Sequence, residues 1–285
     1  MSTDLIIQGE DIASADLRAL HAVCSAHGIE RIFRVAHQAF RLARADDSAT
    51  VRAAVKTRCD AAQLDFAFVE SGRTLADIGL LAMDMDSTLI TIECIDEIAD
   101  FVGKKNEVSA VTASAMRGEI DWPESLRQRV ALLKGLEESA LQRVYDERLK
   151  LSPGATALIA AAKKHGIKLL LVSGGFTFFT ERLKTRLNID YAYSNTLEIE
   201  HGKLTGNVIS PLCDADSKAR HLRETAGVLS LPRERCVAIG DGANDLKMMA
   251  EAGLSVAYRA KPVVQAEASV AINHVGLDGV LALFG

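Results

Sequence analysis

Apolar and polar positions along the chain follow two rhythms, and the change falls near residue 76. Before it, apolar and polar residues alternate through Arg31-Ile32-Phe33-Arg34-Val35 and Ala39-Phe40-Arg41-Leu42-Ala43, the period of half-buried strands. Leu5-Ile6-Ile7 and Phe66-Ala67-Phe68-Val69 add a strand at each end, and the segments 15–26 and 48–63 read as helices. The order strand, helix, strand, strand, helix, strand fits a small ferredoxin-like α+β sandwich over residues 1–75. No group of catalytic side chains falls in it. It reads as a structural or dimerising module, with amino-acid sensing as the alternative.

From Ile78 onward the apolar residues come in unbroken runs that stop abruptly. Gly79-Leu80-Leu81-Ala82-Met83 ends in Asp84, Lys168-Leu169-Leu170-Leu171-Val172 in Ser173-Gly174-Gly175, and Cys236-Val237-Ala238-Ile239 in Gly240-Asp241-Gly242. Leu254-Ser255-Val256-Ala257 and Val270-Ala271-Ile272 are two further runs. Strands apolar on both faces belong to a parallel sheet covered by helices on each side. The segments 154–164, 177–187, 217–226 and 245–252 supply such helices. Residues 76–285 are therefore expected to form a doubly wound α/β core, and its ligands should lie beyond the carboxyl ends of the strands. Asp84, Ser173 and Asp241 are delivered to that edge. The mostly helical stretch at about 95–150 follows the first of these strands and is expected to sit above the site as a cap. Within it, Asp121 with Glu124 three residues on has the form of a capping box.

Composition narrows the class. The chain has 285 residues, 48% of them hydrophobic and 25% charged, with only 5 prolines, as in a folded protein without long linkers. Its net charge of −5 gives no reason to expect nucleic acid as a partner. The 5 cysteines form no C-x-x-C pair and read as reduced thiols. No apolar run is long enough to span a membrane, and Met1-Ser2-Thr3-Asp4 does not open a basic, then apolar, leader. A cytoplasmic setting is the expectation. The histidines show no H-x-x-x-H or H-E-x-x-H spacing, which argues against zinc.

The chemistry concentrates in a few segments. Asp84 and Asp86 are two apart at the end of an expected buried strand, and if the chain turns there both can face one pocket, one to attack and the other to move protons. Hydrolysis of phosphate monoesters needs up to about 10²¹-fold acceleration, and a carboxylate nucleophile splits the step in two. Two carboxylates facing a phosphate dianion require a cation, and Mg²⁺ suits hard oxygen ligands. Asp241 would complete its protein ligands. Ser173-Gly174-Gly175-Phe176 is not a G-x-S-x-G elbow, and Gly240-Asp241-Gly242-Ala243-Asn244-Asp245 is not a Walker A loop.

These segments together make the chain similar to the haloacid dehalogenase-like hydrolases, and within them to the phosphoserine phosphatase branch. The likeness covers roughly residues 76–285. It is carried by Asp84-Met85-Asp86-Ser87-Thr88-Leu89, Glu93, Ser125-Leu126-Arg127-Gln128-Arg129-Val130, Ser173-Gly174-Gly175-Phe176, Lys203-Leu204-Thr205-Gly206, Lys218 and 240–245. The resemblance implies hydrolysis of O-phosphoserine, the last step of serine biosynthesis, through an aspartyl-phosphate on Asp84. Asp86 would act as acid and then base. Mg²⁺ would be held by Asp84, the Asp86 carbonyl and Asp241, with Asp245 behind them. Ser173, Gly174, Gly175 and Asn244 would hold the phosphoryl group, with Lys218 balancing charge. Glu93 would meet the substrate ammonium and Arg129 its carboxylate, while Met116 and Trp122 would close over it. Trp122 stands where a Phe is expected, and Met85 replaces a Phe between the two aspartates. Another small phosphorylated metabolite, transfer to a second alcohol, and a homodimer remain open on this reading.

Overall fold

The computed structural model describes residues 2–285, apart from the side chain of Met116. The first part runs β1 (Thr3–Gly9), α1 (Ser14–Val23), β2 (Gly28–Ile32), β3 (Gln38–Ala43), α2 (Ala49–Ala62) and β4 (Asp65–Glu70). Its strands form an antiparallel sheet in the order β2-β3-β1-β4. Leu5 and Ile7 on one face pack with Leu20, Val55 and Cys59 of the two helices. Ile6, between them, points the other way into the main core, with Ala67 and Val69. β1 is buried on both faces, which is why it reads as an unbroken apolar run.

The element order read from the sequence is the observed one, with one shift. The strand expected at 31–35 lies at Gly28–Ile32, and Phe33 beyond it is 81% exposed. The alternation continued past the pairing with β3, and periodicity alone could not mark where pairing stops.

The second part runs β5 (Leu80–Met83), α3 (Cys94–Phe101), α4 (Lys105–Met116), α5 (Trp122–Ala131), α6 (Ser139–Arg143), α7 (Ala155–Lys164), β6 (Lys168–Phe176), α8 (Thr177–Leu187), β7 (Tyr191–Glu200) and β8 (Lys203–Ile209). It continues through α9 (Ala215–Val228), β9 (Cys236–Gly240), α10 (Leu246–Ala250), β10 (Leu254–Tyr258), α11 (Pro262–Glu267), β11 (Val270–Ile272) and α12 (Gly279–Ala282). The sheet order is β11-β10-β9-β5-β6-β7-β8. All neighbours are parallel except β7 and β8, an antiparallel hairpin that the apolar runs did not reveal. Leu81, Met83, Leu171 and Ile239 face one apolar layer, and Leu80, Ala82, Val172 and Ala238 the other.

Ile95 of α3 and Trp122, Leu126 and Arg129 of α5 stand over the carboxyl edge of this sheet. Asp121 accepts the Glu124 N–H at 2.8 Å at the start of α5. The segment between β5 and β6 is tied down at two places. Ile90 and Leu151 bridge at its root, and at its far side Gly135 donates to the Leu204 carbonyl and Leu204 to that of Leu136, each at 2.8 Å.

The two sheets meet through the carboxyl-terminal segment. Asp65, 3% exposed, accepts the backbone N–H groups of Asn273, His274 and Val275 at 2.7, 2.9 and 3.0 Å. Arg41 bridges Asp4 at 3.1 Å and the Phe284 carbonyl at 2.9 Å. Among the described residues no helix is long and apolar enough to cross a membrane.

Candidate active site

The three strands that end in Asp84, Ser173 and Asp241 are the adjacent strands β5, β6 and β9, with β5 in the middle. Asp84 is therefore flanked on both sides. Its backbone N–H donates to the Ile239 carbonyl at 3.0 Å, which continues the ladder to the strand tip. The chain then turns through Asp86 (φ −64°, ψ 136°) and Ser87 (φ 54°), so Asp86 returns over the same edge.

Lys218, on the first turns of α9, lies 2.8 Å from Asp84 Oδ2 and 2.7 Å from Asp245 Oδ1, and is 1% exposed. Burial opposes its charge, but Asp245 and Asp84 outweigh burial, so the ammonium is held above its ordinary range. Asp245 is fully used from behind the edge: its other oxygen accepts the Gly242 N–H at 3.0 Å. Thr88, inside the turn, donates to Asp241 Oδ1 at 2.8 Å and fixes that carboxylate.

Oxygens of Asp84, Asp241 and Asp245 lie within 4.8 Å of one another. Three carboxylates against one ammonium leave two negative charges, and the chemistry of the set, hard anionic oxygen, suits a divalent cation. The proton affinities reflect that unbalanced charge. Burial pushes the Asp84 carboxyl well above its ordinary value, with Asp245 adding to the rise and Lys218 opposing it. Burial raises Asp86 to about 6, against the lowering effect of its contact with Cys94, and raises Asp241 to about 6 against the Thr88 hydroxyl.

Above this edge is a cavity of about 150 Å³. Asp84, Asp86, Asp241, Asn244, Gly174 and Gly175 form its floor, and Glu93, Ile95, Trp122, Leu126, Arg129 and Phe176 its walls. A Cβ on Gly175 would stand 2.6 Å from Asp86 Oδ2, so only glycine lets the strand end pass this close to the acid. Trp122 lies over Gly174, where a Cβ would be 3.1 Å from its ring. Glu93 accepts the Ser87 hydroxyl at 2.7 Å, and burial together with Asp86 raises its carboxyl to about 7. Arg129 donates through Nε to the Ser125 carbonyl at 3.3 Å, which leaves the fork of its guanidinium for the cavity.

Nine of the residues singled out from sequence thus line one cavity, and Ser173, Lys218 and Asp245 stand directly beneath it. The side chain of Met116 lies outside the described residues. Thr88, Ser87 and the Cys94 N–H, which donates to Asp86 Oδ1 at 3.0 Å, were not singled out. Thr88 and Ser87 sat inside the D-x-D-S-T segment, and their place beside the two acids was the available signal.

A sequence model of the haloacid dehalogenase-like hydrolases matches residues 81–250, well over half of the chain. The chain belongs to that family. A second model, of a domain of unknown function, matches residues 5–55 of the hydrolase. The phosphoserine phosphatase of Polaromonas sp. is 56% identical to it over 214 residues, 73% of this chain and 91% of that protein. Among solved structures, a family hydrolase from Salmonella enterica serovar Typhi superposes with a TM-score of 0.91 at 33% identity, covering 100% of this chain and 99% of the other. A probable phosphoserine phosphatase from Vibrio cholerae gives 0.84 at 40% identity, covering 99% of this hydrolase and 86% of its own chain. The likeness to the Salmonella structure includes the amino-terminal sandwich as well as the catalytic core.

Proposed function

We propose that this hydrolase converts O-phosphoserine to serine and inorganic phosphate through a phosphoryl group carried on Asp84. One observation carries the substrate: Glu93 and Arg129, a carboxylate and a guanidinium, face the cavity whose floor is Asp84 and Asp86. An amino acid phosphorylated on a short side chain presents an ammonium, a carboxylate and a phosphate. Those three charges match Glu93, Arg129 and the acidic edge. The curated relatives, named for phosphoserine, support the same reading.

Asp84 attacks phosphorus, and the bond from phosphorus to the serine oxygen breaks. Asp86, raised to about 6, passes its proton to that departing oxygen. The same carboxylate then takes a proton from water as the water attacks phosphorus. The acyl-phosphate bond breaks, phosphate leaves, and Asp84 is a carboxylate again. Asp84, the Asp86 carbonyl and Asp241 would hold Mg²⁺, with Asp245 behind them, and the ion would supply positive charge to the phosphoryl oxygens. Ser173 and the Gly174 N–H meet those oxygens from the β6 side, with Gly175 and Asn244 beside them, while Lys218 holds Asp84 in place. Fixed donors of this kind are usually the largest catalytic contribution. Trp122 on the cap closes the cavity above the amino acid.

The division into two units, residues 1–75 and 76–285 with the cap at about 95–150, belongs to the same reading. It is supported by the separate apolar layer under the first sheet. A substrate panel with Mg²⁺ present tests the function: phosphoserine should exceed phosphothreonine, phosphoglycolate and sugar phosphates in kcat/KM. Equal rates across the panel would leave a phosphatase without this substrate.

A further inference from the structure

Asn195 on β7 is 1% exposed and stands behind the cavity wall, on its β6 side. Its two amide atoms reach two different loops. Nδ2 donates to the Gly174 carbonyl at 2.8 Å, and Oδ1 accepts the Cys213 N–H at 2.7 Å. One partner is a main-chain acceptor and the other a main-chain donor, so chemistry alone sets the orientation of the amide.

Each loop presents a group to the acidic edge. Just beyond the Gly174 carbonyl, the Gly175 N–H turns onto Ser173 Oγ at 2.8 Å, the bend that offers Gly174 and Gly175 to the cavity. The β6–β7 ladder shifts register between Val172 and Phe176, so regular strand pairing does not hold that bend. Asn195, paired with Phe176 where the ladder resumes, supplies the missing tie with its side chain. On the other side, Cys213 precedes Asp214, whose carboxylate caps α9 by accepting the Ser217 N–H at 2.8 Å. Lys218 follows at once and reaches Asp84.

We propose that Asn195 is a positioning residue for phosphoryl transfer: its amide ties the 173–175 bend to the loop that launches the Lys218 helix, and so holds both against Asp84. It touches neither substrate nor reacting atoms. The inference rests on the placement of the phosphoryl group given above. Small misplacements of such groups lower rates by up to about 10²-fold.

Two variants of the full chain test it. Asn195→Asp keeps the acceptor for Cys213 and sets a carboxylate oxygen against the Gly174 carbonyl. Asn195→Ala removes both bonds. Turnover of phosphoserine and of p-nitrophenyl phosphate is measured with Mg²⁺, together with inhibition by vanadate, a phosphoryl mimic, and by serine. In each folded variant kcat should fall about tenfold or more and vanadate inhibition should weaken in parallel, while serine inhibition stays within about twofold. Unchanged kcat and vanadate affinity would overturn the proposal. So would parallel loss of vanadate and serine affinity, the mark of general loosening. A parent enzyme that hydrolyses p-nitrophenyl phosphate but not phosphoserine would instead refute the substrate reading, and kcat for p-nitrophenyl phosphate with vanadate inhibition would still decide the role of Asn195.

Discussion

Replacing Lys218 with methionine keeps the length of the side chain and removes the ammonium that Asp84 and Asp245 share. The two contacts, 2.8 and 2.7 Å, are both inside the protein. Removing one partner of a buried ion pair costs about 3–5 kcal/mol, because the charge left behind is uncompensated. A carboxylate can escape that penalty by binding a proton. From the ordinary value of 3.8, neutralising one further Asp at pH 7 costs about 4 kcal/mol, at 1.36 kcal/mol for each pH unit. The two estimates agree, so the loss at neutral pH should be about 4 kcal/mol, roughly a 10 °C fall in Tm for a chain of this size. The sign of the pH dependence follows. In the metal-free variant the folded state holds a proton that the unfolded state, with carboxyls near 3.8, has lost. Stability therefore falls as pH rises above the unfolded carboxyl value, and more steeply than in the parent. Thermal unfolding in EDTA at several pH values reads both quantities. A variant Tm within about 2 °C of the parent at pH 8, or parallel pH curves, would refute the charge balance drawn here.

Arg129→Ala should raise KM for phosphoserine by roughly 10²-fold while turnover of p-nitrophenyl phosphate stays within a few-fold, since the guanidinium serves only the amino-acid carboxylate. Glu93, raised to about 7, must be ionised to hold an ammonium, so kcat/KM for phosphoserine should fall as pH drops below about 7, and Glu93→Gln should remove that part of the profile. Asp65→Ala leaves three backbone N–H groups without their acceptor and should destabilise the chain by about 2–4 kcal/mol in denaturant unfolding, with kcat of the folded protein unchanged.

The floor of the site was legible because of where open parallel sheets keep their ligands. Three apolar runs ended in Asp84, Ser173 and Asp241, and the sheet places those runs side by side. Glu93 and Arg129 were not readable from spacing. Glu93, just before α3, and Arg129 on α5 face one cavity only once the intervening chain has folded, and the family likeness was needed to choose them. The β7–β8 hairpin escaped for a different reason. Buried and partly exposed positions mix along β7, which lies next to the sheet edge, so no continuous apolar run marks it. With it escaped Asn195, a polar residue in a polar-looking strand whose two partners lie about twenty residues away on either side. Local sequence carries no sign of such a tie.

The central claim is that the phosphoryl group rests on Asp84, and rapid quenching during turnover with phosphoserine and Mg²⁺ tests it most directly. Borohydride treatment of the quenched enzyme reduces an aspartyl-phosphate to homoserine, and peptide mass spectrometry locates it. Homoserine at position 84 in the parent, with neither homoserine nor turnover in Asp84→Asn, is the predicted result. Phosphoryl transfer through another residue, or full turnover by Asp84→Asn, would contradict it.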